Sequence, residues 1–515
     1  MSISVELPRP EGRKRAGTRG VRKSVVIAEH DSSSLLEEHY EEVRELGAGA
    51  FGKVTLVRDL TFGQQRVCKV VSTKGMIKPV LDAMRKEIEL LRKLDHPSIV
   101  RIYEFAEDPF VDQILLILEY IPGGDCADLI KKSHPVEECV VGRLMYQLLA
   151  ALHYCHLRGV AHRDIKPLNM MVLYPPDGGD PDCKLIDFGL SERGRTEMRD
   201  YVGSPKYMAP EVHRRATYTA AADIWSSGVT ALELFAGDVP FTGPYEQTIG
   251  RCKGFAKALE PSFKGKEQAA WATRSDGAKD FVRHLMQVDD KLRPTAGKAL
   301  EHSWLQENRP EAQKFPKHIA RSLAGYANAP SVVRCCLLSI AARVGSPKMQ
   351  AIGHAFLGAD SNGDGLISDQ ELEVALGNMD EYKWWCDPAS HIDVSEVLRA
   401  GDFDHSSGLN FTEFVAACLF TAYGNAENFA SVAFNALDSD RDGKVTVKEV
   451  ESLFRERDKP FLDSLPQDRP FGLEEWKICV EEYDEETQEL SSSSSEADTS
   501  IQPRQNILGF FSCMT

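Results

Sequence analysis

The sequence predicts an α+β domain over about residues 40–305 and an all-α domain over about residues 346–480. Three features indicate this division. A glycine-spaced segment, LGAGAFGKV at 46–54, lies between two strand-like stretches, which is typical of a β-hairpin. Helical periodicity follows the strands, as in MRKEIELLRKL. Further along, two twelve-residue segments rich in oxygen-bearing side chains, 360–371 and 438–449, lie between helical patterns.

The overall composition is that of a soluble globular protein. Of the 515 residues, 42% are hydrophobic and 27% are charged, and the length suggests about three or four domains. No apolar run approaches the ~18–20 residues that cross a bilayer, and the N-terminus does not resemble a signal peptide. The net charge of −17 argues against nucleic acid as a partner, because a phosphate backbone would be repelled. The twelve cysteines are scattered without zinc spacing, which indicates reduced thiols and a cytoplasmic location.

Both ends of the chain have a biased composition. Residues 1–39 begin with a basic arm that has few apolar side chains, so we expect a disordered extension. A solvated tail, a contact with an anionic membrane and a nuclear signal remain open for this arm, and with them a peripheral membrane or nuclear fraction. Residues 481–515 are acidic and serine-rich, which predicts a second disordered tail.

The glycine-spaced segment is the first candidate for a phosphate-binding site. Glycines at this spacing let backbone amides approach phosphate oxygens without an intervening side chain. By itself the pattern is weak evidence, since a glycine-rich hairpin can be purely structural. The candidate nucleotide-binding residues of this segment are Leu46, Gly47, Gly49, Gly52 and Val54.

Charged motifs follow the hairpin in a fixed order and strengthen this interpretation. VCKVV places Lys69 in a β-branched strand, where its charge needs a partner, and Glu87 lies in the middle of the next helix. AHRDIKPLN then places Asp164, Lys166 and Asn169 within six residues. KLIDFG places Asp187 after an apolar strand. A proton-accepting carboxylate, an ammonium for a transferred phosphate, and an amide with a carboxylate for magnesium form a complete set for phosphoryl transfer.

With these motifs, residues 40–305 resemble the eukaryotic protein kinase family. The resemblance implies a bilobal α+β protein kinase fold, ATP and Mg²⁺ as ligands, and serine or threonine as acceptor, because HRDIKP has a lysine two residues after the aspartate. It implies the following roles: Lys69 and Glu87 as the pair that holds ATP phosphates, Asp164 as catalytic base, Lys166 on the transferred phosphate, Asn169 and Asp187 as magnesium ligands, and Glu119 and Asp125 beside the nucleotide.

The activation segment, RDYVGSPKYMAPE, has an aspartate where many kinases are phosphorylated on threonine. Asp200 already has a negative charge and could engage Arg163 without a phosphate, so we expect that no activating kinase is needed. The alternative is a solvated loop aspartate. Glu211 and Arg293 are similar to the pair that bridges the large lobe in this family, and Asp223 is similar to the aspartate that steadies the catalytic loop.

Substrate preference is less clear from the motifs. Leu168 stands where basophilic members of the family often have glutamate, whereas Asp125 remains able to meet the ATP ribose or a substrate arginine. We therefore expect protein substrates with a weakened preference for basic residues upstream of the target. The insert YPPDGGDPD at 174–182 is interpreted as a surface turn without an assigned function.

The segments 360–371 and 438–449 match the twelve-residue calcium loop. Such a loop supplies oxygen ligands from positions 1, 3, 5, 7, 9 and 12, with glycine at position 6. Ile367 and Val445 stand at position 8, where paired loops exchange a short strand. The expected ligands are Asp360, Asn362, Asp364, the Leu366 carbonyl, Ser368 and Glu371 in the first loop, and Asp438, Asp440, Asp442, the Lys444 carbonyl, Thr446 and Glu449 in the other.

Two further loops fit the pattern less well. Loop 402–413 has Ser407 at position 6, where a left-handed backbone costs a non-glycine residue on the order of 1 kcal/mol, so we expect a weaker calcium site. A fourth loop at 464–475 has Pro466 and Arg469 in place of a ligand and the turn glycine, which predicts a metal-free hand. The expected ligands of loop 402–413 are Asp402, Asp404, Ser406, Gly408, Asn410 and Glu413. Four hands in two pairs resemble an all-α, calmodulin-like EF-hand domain over 346–480.

Residues 306–345 join the two domains. Val333, Leu337, Ile340 and Val344 repeat at helical spacing, with arginines on other faces. Such a helix suits a groove opened by calcium, so we expect it to be the intramolecular target of the EF-hands. An ordinary helix packed permanently on the kinase is the alternative.

This order of parts resembles the calcium-dependent protein kinases of plants and protists. The resemblance implies that the junction keeps the kinase inactive at resting calcium levels. It also implies that calcium changes the conformation of the EF-hands and of the junction. Two alternatives remain: a calcium-sensing scaffold without catalysis, and a kinase whose hands are only a docking module. No coiled-coil heptads appear, so a monomer is expected.

Overall fold

The structure, a computed structural model, is described here for residues 28–30, 39–49, 52–108, 112–175, 179, 181–193, 197–239, 263, 265–308, 316–377, 393–421, 426–438, 441–451 and 459–479. The acidic tail and most of the basic arm therefore lie outside the described residues. No helix in the described ranges is both long enough and apolar enough to cross a bilayer.

A mixed sheet forms the N-terminal lobe. Its central strands, IYEFAED and QILLILE, are mostly buried, because hydrophobic clusters cover both faces of the sheet there. Neighbouring strands follow the order β1-β5-β6-β4-β3-β2, and all pairs except β1 with β5 are antiparallel. The elements of this lobe are β1 (Ala28–His30), β2 (Tyr40–Gly49), β3 (Gly52–Asp59), β4 (Gln65–Ser72), α1 (Lys78–Leu91), β5 (Ile102–Asp108) and β6 (Gln113–Glu119).

Strand β1 corrects the expectation that residues 1–39 are disordered throughout. Ala28 pairs with Glu104, and His30 pairs with Ala106, in a parallel register on the edge of β5. The edge of a sheet offers unpaired backbone donors and acceptors, which a passing segment of chain can use. This pairing depends on backbone groups, so composition alone did not predict it.

Helices dominate the C-terminal lobe. The longest, ECVVGRLMYQLLAALHYCHL, is apolar on nearly every side and is buried, as is the helix AADIWSSGVTALELFA. The elements are α2 (Cys126–Ser133), α3 (Glu138–Leu157), β7 (Val160–Ala161), the 3-10 helix Pro167–Asn169, β8 (Met170–Leu173), β9 (Asp182–Leu185), β10 (Glu192–Arg193), α4 (Pro210–His213), α5 (Ala221–Ala236), α6 (Gly265–Ala272), α7 (Asp276–Leu285), α8 (Ala296–Leu300) and α9 (Ser303–Glu307).

A buried ion pair ties the C-terminal lobe together. Arg293 donates two hydrogen bonds to Glu211, at 2.6 and 2.7 Å, and its side chain is fully buried. Arg293 also lies over the ring of Trp225. A bidentate geometry of this kind offsets part of the cost of removing both charges from water.

Residues 316–479, which we call the four-loop domain, form a second hydrophobic core. Each calcium-type loop lies between two helices. Ile367 pairs with Leu409, and Val445 pairs with Phe471, through short antiparallel bridges. These bridges join the first loop to the second and the third to the fourth. The helices are α10 (Lys317–Asn328), α11 (Ser331–Arg343), α12 (Ser346–Ala359), α13 (Asp369–Gly377), α14 (Val394–Gly401), α15 (Phe411–Leu419), α16 (Ala426–Leu437), α17 (Val447–Glu451), α18 (Lys459–Ser464) and residues 473–479.

The junction lies inside this second core. Helix α11 packs against α15 and α16, and α10 packs against α14 and α15. The sequence placed the arginines of α11 on faces away from its apolar stripe, but Arg334 and Arg343 are both buried. The helix is therefore enclosed on all sides, because the kinase covers the face that the hands leave open.

The four-loop domain packs on both lobes of the kinase. On the C-terminal lobe, Asp182 accepts hydrogen bonds from Gln350 and His354 of α12. Between the lobes, Arg101 donates to the carbonyl oxygen of Ala341 at 2.9 Å and to Thr412 Oγ1 at 3.1 Å. The four-loop domain thus makes polar contacts with both lobes of the kinase.

Candidate functional site

Asp164 accepts hydrogen bonds from three residues, two in the catalytic loop and one in the activation segment. Lys166 Nζ donates to Asp164 Oδ2 at 2.6 Å, and Asn169 Nδ2 donates to the Asp164 backbone oxygen at 2.8 Å. From the activation segment, the backbone nitrogen of Ser204 donates to Asp164 Oδ1 at 2.8 Å. Lys166 Nζ also donates to Ser204 Oγ at 2.9 Å. Ser204 is a member of this site that the sequence motifs did not reveal, since only the folded loop brings it near Asp164.

Asp164 is held as a carboxylate. Burial alone would raise its pKa, but the hydrogen bonds from Lys166 and Ser204 outweigh burial and lower the pKa below its usual value. The group is therefore ionised at neutral pH and could accept a proton.

Asp223, in helix α5, accepts hydrogen bonds from the backbone of the catalytic loop. Its carboxylate accepts from the backbone nitrogens of His162 at 2.9 Å and Arg163 at 2.8 Å, and from His156 Nε2 at 2.9 Å. Arg163 has a φ of 70°, a conformation that is uncommon for residues other than glycine. The Asp223 contacts support that conformation, because they fix the consecutive backbone amides of His162 and Arg163.

The two expected magnesium ligands fit a metal site chemically. Asn169 uses its amide nitrogen on Asp164, so its amide oxygen is turned away from that contact and can serve as a ligand. Asp187 follows the end of β9 with a φ of 64°. An amide oxygen and a carboxylate are hard oxygen donors, which magnesium prefers.

Lys69 and Glu87 are near each other but are not joined. Burial raises the pKa of Glu87, the ammonium of Lys69 lowers it, and the carboxylate of Asp187 raises it further. Among the described residues, however, no hydrogen bond or ion pair connects Lys69 with Glu87. The direct pair implied by the resemblance is therefore not formed in this structure. Glu87 lies instead beside Gly189 in the DFG segment, where a Cβ would be 3.2 Å from its Oε2.

The glycine-spaced hairpin forms as expected between β2 and β3. Gly49 pairs with Gly52, and Gly47 pairs with Val54. Gly52 has a φ of 149°, and a Cβ there would be 1.9 Å from the Val70 carbonyl oxygen. A side chain at this position would clash with the sheet. Leu46 is exposed at the end of the same hairpin.

The side chains of Glu119 and Asp125 both accept hydrogen bonds from other residues of the kinase domain. The Glu119 carboxylate is buried and accepts from Lys184 Nζ at 3.0 Å and from the Arg101 backbone at 3.1 Å. Its backbone, not its carboxylate, is therefore the part that can meet a base. Asp125 caps α2 by accepting from the Asp128 backbone nitrogen at 2.8 Å.

Arg163 and Asp200 meet in the arrangement that the activation segment suggested. Arg163 Nη1 lies 3.0 Å from Asp200 Oδ2. The Asp200 carbonyl oxygen also accepts from the Tyr218 hydroxyl at 3.0 Å. The carboxylate of Asp200 thus pairs with Arg163 without a phosphate and links the activation segment to the catalytic loop.

The first calcium-type loop is already folded around its expected ligand positions. Gly365 has a φ of 80°, and its backbone nitrogen donates to Asp360 Oδ2 at 2.9 Å. Glu371 accepts from the Ser368 hydroxyl at 2.8 Å. Burial raises the pKa of Asp360 to about 7, and the nearby charges of Asp364 and Glu371 add to the rise. Crowded carboxylates of this kind fit a divalent cation, which would supply the missing positive charge.

The second loop brings three of its expected ligands close together. One carboxylate oxygen each from Asp402, Asp404 and Glu413 lies within 4.8 Å of the others. Burial raises the pKa of Glu413 well above its usual value, and Asp404 reinforces this. Ser407 has a φ of 71°, as the displaced glycine implied. The carboxylate set therefore fits calcium, at the cost of a strained residue in the turn.

Three internal contacts of the third loop have counterparts in the first. The Gly443 backbone donates to Asp438 Oδ2 at 3.0 Å, and Thr446 Oγ1 donates to Glu449 at 2.8 Å. Asp442 accepts from the Lys444 backbone at 2.8 Å. Asp440, the expected ligand at position 3, lies outside the described residues.

In the fourth loop an arginine side chain pairs with the glutamate at position 12. Arg469 donates to both carboxylate oxygens of Glu475, the residue at position 12. This guanidinium neutralises the carboxylate that would otherwise close the loop around an ion. The arrangement agrees with the metal-free hand that the sequence predicted.

Calcium counting tests this difference between loops. Glu475→Gln should leave the number of bound calcium ions per chain unchanged, because Glu475 is already neutralised by Arg469. Glu371→Gln should remove one calcium ion, because a carboxylate at position 12 supplies two of its ligands. Isothermal titration calorimetry of the full chain measures both numbers, and loss of a calcium ion in Glu475→Gln would contradict the assignment.

Known proteins resemble the chain along most of its length. The family model for the protein kinase domain matches residues 40–305, and the EF-hand model matches residues 352–376 and 430–454. The chain is 31% identical over 422 residues to calcium-dependent protein kinase 3 of Plasmodium yoelii yoelii, covering 81% of this chain and 74% of that protein. It is 30% identical over 439 residues to calcium-dependent protein kinase 9 of Arabidopsis thaliana, covering 82% and 78%. Together with the catalytic cleft and the paired loops, these matches place the chain in the calcium-dependent protein kinase family.

Proposed function

We propose that the chain transfers the γ-phosphate of ATP to serine and threonine hydroxyls of proteins, and that calcium bound by the four-loop domain activates this transfer. The observation that supports it most is the packing of the junction and the loops on both lobes of a kinase whose catalytic groups, Asp164, Lys166 and Ser204, are already in contact. The catalytic groups and the calcium groups thus belong to one packed unit.

In this proposal the catalytic loop activates the acceptor hydroxyl and stabilises the transferred phosphate. A substrate hydroxyl beside Asp164 would lose its proton to this carboxylate, which is ionised at neutral pH. Lys166, anchored on Asp164 and Ser204, would stabilise negative charge on the transferred group. When bound at Asn169 and Asp187, Mg²⁺ supplies positive charge to the phosphate oxygens. Lys69 and Glu87 would position the nucleotide together with the hairpin of β2 and β3.

Substrate choice, oligomeric state and location are further parts of the proposal. Leu168 is 53% exposed beside the catalytic loop, so an apolar group stands where an acidic one would favour arginine. We propose serine or threonine substrates with a weak preference for upstream basic residues. A monomer in the cytoplasm, with a membrane or nuclear fraction if the basic arm binds anionic surfaces, completes the proposal.

The calcium dependence of the rate tests the function directly. Initial rates of phosphate transfer to a basic serine peptide should rise steeply as free calcium is stepped from nanomolar to tens of micromolar, the range of EF-hand sensors. A flat, high rate would favour the kinase whose hands only dock. No rate at any calcium level, in a folded protein, would favour the scaffold.

Asp200 offers a second test, of activation without phosphorylation. Asp200→Ala should lower the calcium-saturated rate by about tenfold, equivalent to ~1.4 kcal/mol, because it removes the ion pair with Arg163. A larger loss is not expected, because Asp200 is half exposed and solvent screens the pair. Asp200→Glu should retain most of the rate. Glu197→Ala removes a carboxylate from the same segment as a control. An unchanged rate in Asp200→Ala would show that Asp200 is only a solvated loop residue.

A further inference from the structure

One side chain of the third calcium-type loop enters the kinase. Arg441 stands at position 4 of this loop with a φ of 59°, and its side chain is 4% exposed. It donates to Glu104 Oε1 at 2.6 Å, to Asp59 Oδ2 at 3.2 Å and to the Tyr40 hydroxyl at 3.0 Å. The guanidinium also lies over the Tyr40 ring, 5.0 Å from its centre.

The three residues that receive Arg441 form what we call the arginine pocket: Tyr40, Asp59 and Glu104. They come from β2, β3 and β5 of the N-terminal lobe. The side chains of Asp59 and Glu104 are 2% and 0% exposed. Two carboxylates this deeply buried require cationic partners, because an unpaired buried charge is costly.

The second cation of the pocket comes from the junction. Arg343 Nη1 donates to Glu104 Oε1 at 2.8 Å, and its Nε donates to the Ala436 carbonyl oxygen of α16 at 3.2 Å. Glu104 is therefore shared by the junction arginine and the loop arginine. Arginines of the four-loop domain therefore pair with both carboxylates of the pocket. If this domain moved away, Asp59 and Glu104 would be exposed to solvent.

We infer that the arginine pocket is the docking site on the N-terminal lobe for the third calcium loop, and that Arg441 links the state of that loop to its docking. The inference rests on the proposed function and adds the surface through which one loop acts. The pocket fits a guanidinium, since it combines two carboxylates, a hydroxyl acceptor and an aromatic face.

Loop geometry explains why position 4 can make this link. Asp442, one residue after Arg441, is an expected calcium ligand, so a bound ion would fix the backbone from which Arg441 extends. Gly443 at the turn has a φ of 80°, the left-handed conformation that glycine adopts without strain at position 6 of such a loop. Linkage is reciprocal: if calcium favours docking of Arg441, docking must favour calcium binding to the same extent.

The test compares three full-length variants. Arg441→Met keeps the length of the side chain and removes its charge. Asp59→Asn removes one charge from the other side of the contact. Lys448→Met removes an exposed positive charge from position 11 of the same loop and is the matched control, since no contact joins Lys448 to the pocket among the described residues. The measurements are the calcium-binding isotherm by calorimetry and the calcium midpoint of the peptide-phosphorylation rate.

Arg441→Met should weaken the third-loop calcium affinity about tenfold and raise the activity midpoint by a similar factor, within the usual range of coupling between sites. Asp59→Asn should weaken the affinity by a smaller factor, because Glu104 and Tyr40 still receive Arg441. The double variant should be no worse than Arg441→Met alone, because that variant has already lost the contact with Asp59. Additive effects would overturn the inference, as would a shift in Arg441→Met no larger than that in Lys448→Met. If the unmodified chain shows no calcium activation but Arg441→Met still weakens calcium binding, the docking site stands and the proposed activation fails.

Discussion

Buried charge has to be paired, and the contact between kinase and four-loop domain depends on this constraint. Asp59 and Glu104 find their cations in Arg441 and Arg343. On the other lobe, Asp182 receives donors from both sides of the contact. His354 holds it from the four-loop domain and Arg143 from the kinase. Burial alone would raise the pKa of Asp182, but His354 and Arg143 lower it to about 2. Because the partners lie in different domains, neither domain satisfies these carboxylates fully by itself.

The same interface brings three of the loops against the kinase. In the first loop, the carbonyl oxygen of Asn362 faces His153 Nε2 at 3.1 Å, and that of Asp364 accepts from Arg158 at 2.8 Å. In the second, the Thr412 backbone donates to Asp95 Oδ2 at 2.8 Å. The third contributes Arg441. These contacts lie within the calcium loops or next to their ligands, so a change in loop geometry acts on the kinase without an intermediate element.

Local motifs explain how much of this could be predicted from sequence. Short patterns with known geometry predicted the contact of Lys166 with Asp164 and the ion pair between Arg163 and Asp200. They also predicted the two loop bridges at Ile367 and Val445. Contacts between distant segments were not predictable in this way. The sequence interpretation left the insert ending at Asp182 without a function, and the structure buries that residue under α12, about 170 positions away in the chain.

The junction illustrates the same limit. Periodicity identified the apolar face of α11, but a periodic pattern does not say what covers the remaining faces. Arg343 is buried because Glu104, a residue of β5, provides a carboxylate there. Conversely, the pair of Lys69 and Glu87 was implied by resemblance, and in this structure the carboxylate of Glu87 lies beside the DFG segment instead. Family motifs identify which groups are present, while the packing of neighbouring elements decides which groups are in contact.

Hydrogen–deuterium exchange with and without calcium tests most directly whether calcium controls the kinase through this shared interface. The informative peptides cover Asp59–Arg66 and Asp95–Arg101, kinase segments that bind no calcium but pack under the four-loop domain. The account predicts that calcium slows exchange in both segments and leaves α7, which lies away from the interface contacts described above, unchanged. Equal exchange in the two conditions would contradict it, because the contact would then be permanent or absent whatever the calcium level.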